Sequence, residues 1–340
     1  MTPEVAIARV VAGGSLSEAD MTALMGTLLD GRMTPAQIGG LAVGLRMRGE
    51  SVDELTGAAR ALRSHMARVP DVPEGAIDTC GTGGDGASTF NVSTAAALVV
   101  AAAGVPVAKH GNRAASGTVG GADVLEALGV RLGLDPVVAS ACLRETGFVF
   151  LFAPAFHPAL KHAAGPRREL GVRTFFNLLG PLANPAGVRR QVVGVAERRW
   201  VEPLAAVLQR LDVERAWVVH GLVGLDELAL DGASVIAEVT AQAIHVREID
   251  ASQFGLSSAP VAALRVGSLE EAVARLRAVL AGEPGPARDV VCLNAGAALV
   301  VAGAVPDLRS GITRAAATLD AGNASALLTR LAAYTMAAGT

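Results

Sequence analysis

The order of polar and apolar positions at the start of the chain predicts consecutive helices. Residues 34–37 supply a capping threonine, a proline at the first helical position and a capping-box glutamine. Ile38, Leu41 and Leu45 then fall on one helical face. Residues 51–54 repeat the capping signal for the next helix. The pattern therefore predicts a small all-helical N-terminal domain over residues 1–70.

From residue 76 onward the pattern changes to short apolar strands that alternate with helices. Such alternation is typical of a mostly parallel sheet covered by helices, so residues 71–340 are predicted to form a large α/β domain. A capping box at residues 268–271 opens a final helical region that finishes near Tyr334. The predicted strands are 105–108, 148–152, 191–195 and 215–220, the helices between them are 135–146 and 200–211, and 234–239 with 244–249 form a candidate hairpin.

A glycine-rich loop follows the strand-like run that starts at Ile77. Residues 81–86 contain four glycines and Asp85. Glycine allows backbone N–H groups to turn toward an anion, which favours a phosphate site, and the carboxylate suggests that the anion arrives with Mg²⁺. The spacing also fits a dinucleotide-binding motif, but the next helix begins too late and no acidic residue follows about 20 positions on. A simple tight turn is the remaining alternative.

The composition of the chain limits the kinds of molecule that it is expected to bind. The chain of 340 residues has 29 Lys plus Arg against 32 Asp plus Glu and a net charge of −3, so it lacks the basic field of a nucleic-acid-binding protein. Its three cysteines have no metal-ligand or disulfide spacing, and its first residues have no signal-peptide pattern. We expect a cytoplasmic protein that acts on small molecules. Hydrophobic residues make up 51% and aromatics 3%, which predicts close packing of helices with small side chains.

Three further groups carry candidate chemistry. Asp226 and Glu227 follow an apolar strand, and in a loop such a pair can hold metal ions, although an exposed acidic turn is the commoner explanation. Residues 109–113, KHGNR, follow another strand, at the edge where parallel sheets place their ligands. They can equally form a solvated basic loop. Arg167, Arg168 and Arg173 are all candidates for binding a carboxylate.

Together these motifs resemble the anthranilate phosphoribosyltransferase family from about Glu4 to the C-terminus. The shared segments, in the family's order and spacing, are GTGGDG, NxST, KHGNR, ADVLEALGV, FxFAPxxHPA, LGVRTFFNLLGPLANPAG and VVHGxxGLDE. The resemblance implies transfer of a ribosyl 5-phosphate group from phosphoribosyl pyrophosphate to anthranilate, a Mg²⁺ cofactor and a homodimer. It also implies that about 163–188 pack back on the N-terminal helices.

The resemblance further implies roles for individual residues. It places phosphoribosyl pyrophosphate at Gly81, Gly83, Gly84, Asp85, Thr89, Asn91, Ser93, Thr94, Lys109, Asn112, Gly120 and Gly121. It places anthranilate at Gly81, His110, Asn112, His157 and Arg167, and metal at Ser93, Asp226, Glu227 and Asp85. It selects Arg167 for the carboxylate, which leaves Arg173 a structural role. No residue stands out as a certain general acid or base.

One segment departs from the family. After KHGNR the family usually has a sequence close to AVSSKSGS, whereas this chain has AASGTVGG at 114–121. The change removes a cation and hydroxyl groups and is expected to weaken the hold on the donor's phosphates. Two other functions stay open at this point: a nucleoside phosphorylase, whose fold the family resembles, and a non-catalytic paralogue that binds nucleic acid.

Overall fold

A computed structural model describes residues 1–113 and 119–338 of the chain. Four helices come first, and α2 packs on α4 while α1 packs on α3. The capping boxes predicted at Thr34 and Ser51 are both formed. The helices are α1 (Pro3–Val11), α2 (Glu18–Leu29), α3 (Pro35–Arg48) and α4 (Val52–Ser64).

A seven-stranded sheet follows. Its strand order is β3-β2-β1-β4-β5-β6-β7, the first five strands are parallel, and β6 and β7 are antiparallel. This confirms the predicted mostly parallel sheet. The strands are β1 (Ile77–Gly81), β2 (Val107–Gly111), β3 (Phe148–Phe152), β4 (Arg190–Gly194), β5 (Arg215–Gly221), β6 (Ala233–Thr240) and β7 (Ile244–Asp250).

Helices cover both faces of this sheet. They are α5 (Val92–Ala102), α6 (Gly121–Ala127), α7 (Pro136–Thr146), α8 (Ala153–Phe156), α9 (Lys161–Leu170), α10 (Phe176–Leu179), α11 (Val201–Arg210), α12 (Leu269–Leu280), α13 (Pro286–Val301), α14 (Leu308–Asp320) and α15 (Asn323–Ala337). Short 3₁₀ turns lie at Pro158–Leu160, Gly180–Leu182, Arg198–Trp200, Ala251–Phe254 and Val261–Leu264.

Alternation along the strands sends neighbouring side chains into two separate cores. Trp217 of β5 packs in a core with α5 and α13, while Val218 packs in a core with α11 and the N-terminal helices. The second core also contains Ala163 of α9 and Phe176 of α10. The long connection between β3 and β4 therefore lies against the first four helices, and α9 contacts α2 and α3.

Two of the strand bounds differ from the sequence prediction for a physical reason. Pro106 has no N–H to donate, so β2 begins at Val107 rather than at 105. The strand continues past Ala108 to Gly111, because Lys109 and His110 are buried and hydrogen-bonded instead of being solvated. Among the described residues, no helix is long and apolar enough to span a bilayer.

Candidate active site

A cleft of about 320 Å³ opens at the carboxyl ends of the central strands. The chain runs from β1 outward to β3 and then returns to β4 on the other side of β1. Such a reversal leaves a crevice where ligands of parallel sheets bind. The cleft is lined by the glycine loop after β1, the end of β2 and the loop after β5.

Close approach of three backbones forms the floor of the cleft. Gly81 and Gly194 are register partners at the ends of β1 and β4. A Cβ on Gly194 would lie 1.6 Å from the Asp226 carbonyl oxygen, and a Cβ on Gly81 would lie 2.6 Å from Asp226 Oδ2. Only glycine at these two positions lets the loop after β5 enter the cleft. No sequence motif points to Gly194.

Asp226 and Glu227 point to different walls. Asp226 Oδ2 accepts a hydrogen bond of 2.9 Å from the Gly83 N–H in the glycine loop. Glu227 Oε1 accepts one of 3.1 Å from the Ser93 N–H in the first turn of α5. The pair is half-buried, not an exposed acidic turn. The glycine loop and the start of α5, which are the two candidate phosphate-binding segments, are therefore both hydrogen-bonded to this pair.

The charges of these carboxylates are poorly compensated. Desolvation is the main cause that raises the pKa of Asp226 to about 7, and the neighbouring Asp85 adds to it. Desolvation and the charge of Asp226 raise the pKa of Glu227 well above its usual range. A divalent cation would stabilise both as anions. The donor set of carboxylate and hydroxyl oxygens is the one that Mg²⁺ prefers, so these residues fit that ion.

The protein supplies only part of a coordination shell. Over residues 1–113 and 119–338, no three His, Cys, Asp or Glu side chains form a preassembled metal-binding group. Mg²⁺ commonly uses one or two carboxylates and takes its other ligands from water and from substrate phosphates. The arrangement therefore suits a metal that enters together with a phosphorylated ligand.

Two buried groups of opposite charge, Lys109 and Asp78, lie at the base of the cleft. Lys109 Nζ donates to the Thr79 carbonyl and, at 3.3 Å, to Ser93 Oγ. Burial lowers the pKa of Lys109, and the attraction of Asp78 opposes this. The Asp78 side chain accepts from the His110 N–H at 3.2 Å and from Asn184 Nδ2 at 2.8 Å. Sequence reasoning missed Asp78 and Asn184, since neither stands out from its apolar or proline-rich neighbours.

Two histidines face each other on the opposite side of β2. The ring centroids of His110 and His157 are 5.0 Å apart, and His110 Nδ1 is 3.0 Å from the Gly180 carbonyl. Burial lowers the pKa of His110 to about 3, with a further contribution from His157, and burial lowers the pKa of His157 to about 4. Both rings are therefore neutral at pH 7. Nε2 of His110 has no partner within the described part of the chain.

The remaining cleft residues form its outer walls. Asn91 Nδ2 donates to the Val119 carbonyl at 3.1 Å, while Asn91 Oδ1 is buried without a partner among the residues described. Ser93 and Thr94 lie in the first turn of α5, whose N-terminal N–H groups favour anions. All residues predicted for phosphoribosyl pyrophosphate line the cleft: Gly81, Gly83, Gly84, Asp85, Thr89, Asn91, Ser93, Thr94, Lys109, Asn112, Gly120 and Gly121.

Two residues predicted to bind anthranilate lie outside the cleft lining. His157 lies behind the lining residue His110, with the two ring centroids 5.0 Å apart, and Arg167 lies on α9 with its guanidinium 5.2 Å from the centre of the Phe176 ring. Burial lowers the pKa of Arg167. No carboxylate of the described chain is within ion-pair distance of it. Arg173, by contrast, lines the cleft.

The structure describes only part of the segment 114–121, which departs from the family pattern. Residues 114–118, including Thr118, lie outside the described residues. Gly120 is described, and its N–H donates to Asp123 Oδ2 at 2.9 Å at the start of α6.

Taken together, the cleft can bind an anion at the glycine loop and the positive end of α5, hold a divalent cation, and present neutral polar groups to a second ligand. It contains no acid–base pair aligned by a hydrogen bond among the described residues. Binding, orientation and electrostatic stabilisation are therefore the chemistry that it supports.

Comparisons with known proteins agree with this chemistry. The helical bundle domain of the glycosyl transferase family matches residues 5–66, and the a/b domain of that family matches residues 73–325. Anthranilate phosphoribosyltransferase of Azorhizobium caulinodans is 50% identical over 97% of this chain and 95% of its own length. That of Rhodospirillum rubrum is 52% identical over 96% and 94%.

Solved structures are similar over the same length. The anthranilate phosphoribosyltransferase of Thermus thermophilus has a TM-score of 0.92 and 44% identity, covering 97% of this chain and 99% of its own. The Saccharomyces cerevisiae enzyme in complex with PRPP and Mg has a TM-score of 0.90 and 25% identity, covering 98% of both chains. Sequence identity, domain composition and fold thus agree from one end to the other, and the chain belongs to the anthranilate phosphoribosyltransferase family.

Proposed function

We propose that this protein transfers the 5-phosphoribosyl group from phosphoribosyl pyrophosphate (PRPP) to the amine of anthranilate, giving N-(5-phosphoribosyl)anthranilate and pyrophosphate. This is the second step of tryptophan biosynthesis from chorismate. The observation that carries the proposal is identity of about one half with named anthranilate phosphoribosyltransferases over nearly the whole chain. The protein is therefore an enzyme of the glycosyltransferase class.

PRPP binds in the cleft, with its phosphates on the glycine loop and on the start of α5. The Gly84 N–H, the Ser93 and Thr94 hydroxyls and the positive end of the α5 dipole are suitable partners for them. Asn91 Oδ1, which has no hydrogen-bond partner among the described residues, is a suitable acceptor for a ribose hydroxyl. Lys109 supplies positive charge below the cleft floor.

Mg²⁺ is the cofactor, and Ser93, Asp85, Asp226 and Glu227 hold it or its water shell. The raised pKa values of Asp226 and Glu227 support this, because a cation between the walls removes their repulsion. The yeast relative solved with PRPP and Mg supports the same cofactor. When bound, the ion neutralises charge that develops on the departing pyrophosphate.

Anthranilate binds on the side of the cleft formed by Gly81, His110 and Asn112, with His157 and Arg167 behind them. The neutral rings of His110 and His157 suit an aromatic ligand, and Arg167 is a half-buried cation with no carboxylate of its own among the described residues. A guanidinium of this kind fits the carboxylate of anthranilate in two parallel hydrogen bonds.

Orientation then carries most of the catalysis. The aromatic amine is neutral near pH 7 and needs no strong base, which fits a site without an aligned acid–base pair. The glycine-loop N–H groups and the α5 terminus stabilise negative charge on the leaving group before it departs. Asn112 and His110 hold the acceptor in line with C1 of the ribose.

Loss of anthranilate fluorescence on addition of PRPP and Mg²⁺ tests this function. We expect turnover that needs both PRPP and the metal, and no phosphorolysis of thymidine or uridine in the same preparation. Phosphorolysis without anthranilate turnover would instead establish the nucleoside phosphorylase alternative. Salt-dependent binding of DNA without either reaction would establish the non-catalytic one.

The protein also acts as a homodimer in the cytoplasm. Val11 is 73% exposed and Met47 is 83% exposed at the ends of α1 and α3, which pack side by side. Covering such large apolar side chains with a second copy supports a dimer, and sedimentation at micromolar concentration measures it. Three unpaired buried cysteines, Cys80, Cys142 and Cys292, support a reducing compartment.

The chain divides into two domains in this proposal. Residues 1–70 together with about 163–188 form the small helical domain, and the rest of 71–340 forms the PRPP-binding domain. The packing of α9 against α2 and α3 supports the division, as does the match of the helical bundle domain to residues 5–66.

A further inference from the structure

Arg173 lines the cleft together with the glycine loop, although its segment of the chain packs elsewhere. It lies between α9 and α10, on the connection that packs against the N-terminal helices. Its Nη2 nevertheless donates a hydrogen bond of 3.0 Å to the Thr82 carbonyl in the glycine loop. The residue thus joins the segment that carries Arg167 to the loop that binds phosphate.

The guanidinium lies directly against the loop backbone. A Cβ on Gly84 would be only 1.7 Å from Arg173 Nη1, and Gly84 has a φ of +79°. The missing side chain at Gly84 therefore makes room for Arg173 and not only for a ligand. This contact holds the planar end of the arginine at the wall of the cleft that the glycine loop forms.

The other cations of the cleft are already engaged. Lys109 is buried and donates to the Thr79 carbonyl and to Ser93. Arg113 forms ion pairs of 2.7 Å with Asp123 and 2.9 Å with Glu126. Arg173 has no carboxylate within 4.0 Å in the described part of the chain. Its single hydrogen bond leaves most of the five guanidinium N–H groups available.

The electrostatic surroundings keep the side chain in place without neutralising it. Burial lowers the pKa of Arg173, and attraction to Asp226, Glu197 and Asp85 opposes this. A half-buried guanidinium beside a glycine loop is well suited to a phosphate group, which takes two parallel N–H bonds from arginine.

We propose that Arg173 is a diphosphate-binding residue, which donates to the leaving pyrophosphate of the donor while its bond to Thr82 positions the glycine loop. The inference rests on the proposed function, since it assigns a further PRPP-binding residue to the same cleft. It gives the glycine loop a cation from the helical side of the molecule. Arg167 and Arg173, six positions apart, then serve acceptor and donor respectively.

Calorimetric titration with pyrophosphate and with PRPP, each with Mg²⁺, tests the proposal. Arg173→Gln removes the charge and the guanidinium fork and leaves a shorter polar side chain with an amide N–H donor. We expect it to weaken both ligands by about 10- to 100-fold, as for loss of a charged hydrogen bond. Arg173→Lys keeps the charge without the planar fork and should give an intermediate loss. Arg168→Ala, at an exposed position on the same segment, should stay within about twofold of wild type.

Competition by ribose 5-phosphate distinguishes the loss of a contact with the diphosphate from a general structural defect of the cleft, because this ligand has no diphosphate. Its affinity should be unchanged in Arg173→Gln. Equal weakening of ribose 5-phosphate and pyrophosphate, or pyrophosphate affinity within twofold of wild type, would overturn the proposal. Wild-type turnover of anthranilate is measured beside it, so that failure of the proposed function is seen separately from failure of Arg173.

Discussion

Asp226 and Glu227 are neighbours in the sequence but contact opposite walls of the cleft. Asp226 binds the glycine loop and Glu227 binds the first turn of α5. Successive side chains diverge in any extended segment, so the adjacent pair can span the site. A cation between the walls would then be held from both sides.

The double variant Asp226→Asn with Glu227→Gln should keep the fold and lose turnover by about 100-fold or more, because the metal loses both carboxylates. The raised pKa of each carboxyl means that its ionised form is disfavoured in the folded state. The folded protein therefore has its full stability at pH values below the unfolded pKa of these carboxyls, where they are protonated. It loses stability as the pH rises through their folded pKa values. The neutral variant should therefore melt no lower than wild type at pH 8 without metal.

Steady-state turnover with saturating Mg²⁺ and thermal melting measure the two effects. Glu202→Gln, an exposed partner of Arg198 on α11, is the matched control and should change neither. Wild-type turnover in the double variant would remove the metal role from this pair.

The two buried histidines predict a pH dependence of stability. Folding lowers the pKa of His157 to about 4, so the folded protein binds fewer protons than the unfolded chain. The stabilisation is present above the unfolded value and is lost as pH falls through the folded one. From pH 7 to pH 5 the free energy of unfolding should fall by about 2 kcal/mol more in wild type than in His157→Gln.

Urea denaturation at the two pH values measures this difference. His245 is exposed on β7, and His245→Gln should show the same pH dependence as wild type. An equal fall in wild type and His157→Gln would contradict the assignment of the effect to His157.

At this scale the sequence predicted the polar groups of the cleft but not their neighbours. GTGGDG, KHGNR and the Asp226–Glu227 pair carry recognisable chemistry at the ends of apolar runs. Other residues are important only because distant segments contact them, as at Gly194, Asp78 and Asn184. The local sequence pattern cannot predict such contacts. The structural role assigned to Arg173 stays a prediction, and its hydrogen bond to the Thr82 carbonyl is another contact between distant segments.

Close packing of small residues explains how helices α13 and α14 meet. A Cβ on Gly311 would lie 2.5 Å from the Gly296 carbonyl oxygen and 2.8 Å from its Cα. The two backbones therefore touch, which bulky side chains would prevent. The low aromatic content of the chain predicted contacts of this kind, although it could not say which helices make them.

Gly311→Ala should destabilise the protein by about 1–3 kcal/mol, because the added methyl group must push the two helices apart. Gly39→Ala is the matched control: it is also helical, in α3, and its added Cβ meets no atom within 4 Å. It should stabilise the protein by up to about 1 kcal/mol through helix propensity. Chemical denaturation compares the two, and equal effects would show that the contact of α13 with α14 can adjust at little cost.

Helix starts were the most predictable elements. Thr34 and Ser51 form the boxes that their sequence motifs predict. At Ser268 only half of the motif is realised: the serine accepts from the Glu271 N–H, while the Glu271 side chain accepts from Gly267. Caps depend on residues within one turn, which is why local sequence is sufficient for them.

At the scale of the whole molecule, Arg63 joins segments that are far apart in the sequence but share one core. It extends from α4 and donates to the Leu182 carbonyl at 2.6 Å and to the Leu211 carbonyl at 3.2 Å. It thereby joins the N-terminal helices to the connection before β4 and to the end of α11. Sequence reasoning from residues alone did not foresee this return of the chain, which came only from the family resemblance.

Arg63→Met should lower the free energy of unfolding by about 1–3 kcal/mol, since two buried carbonyls lose their donor while the apolar stem is kept. Arg32→Met, whose ion pair with Asp30 is exposed, should cost less than about 1 kcal/mol. Guanidinium denaturation followed by circular dichroism measures both. A loss at Arg63 no larger than that at Arg32 would mean that this junction contributes little to stability.

The packing of α9 on the first helices has a consequence for the order in which the protein is made. Residues 1–64 leave the ribosome before residues 161–170, but α2 and α3 pack against a segment that begins at Lys161. Until that segment has emerged, the early helices keep part of their hydrophobic surface in water. Nascent chains stalled before α9 should therefore be the ones that recruit chaperones, and release of the chaperone should coincide with synthesis of residues beyond α10.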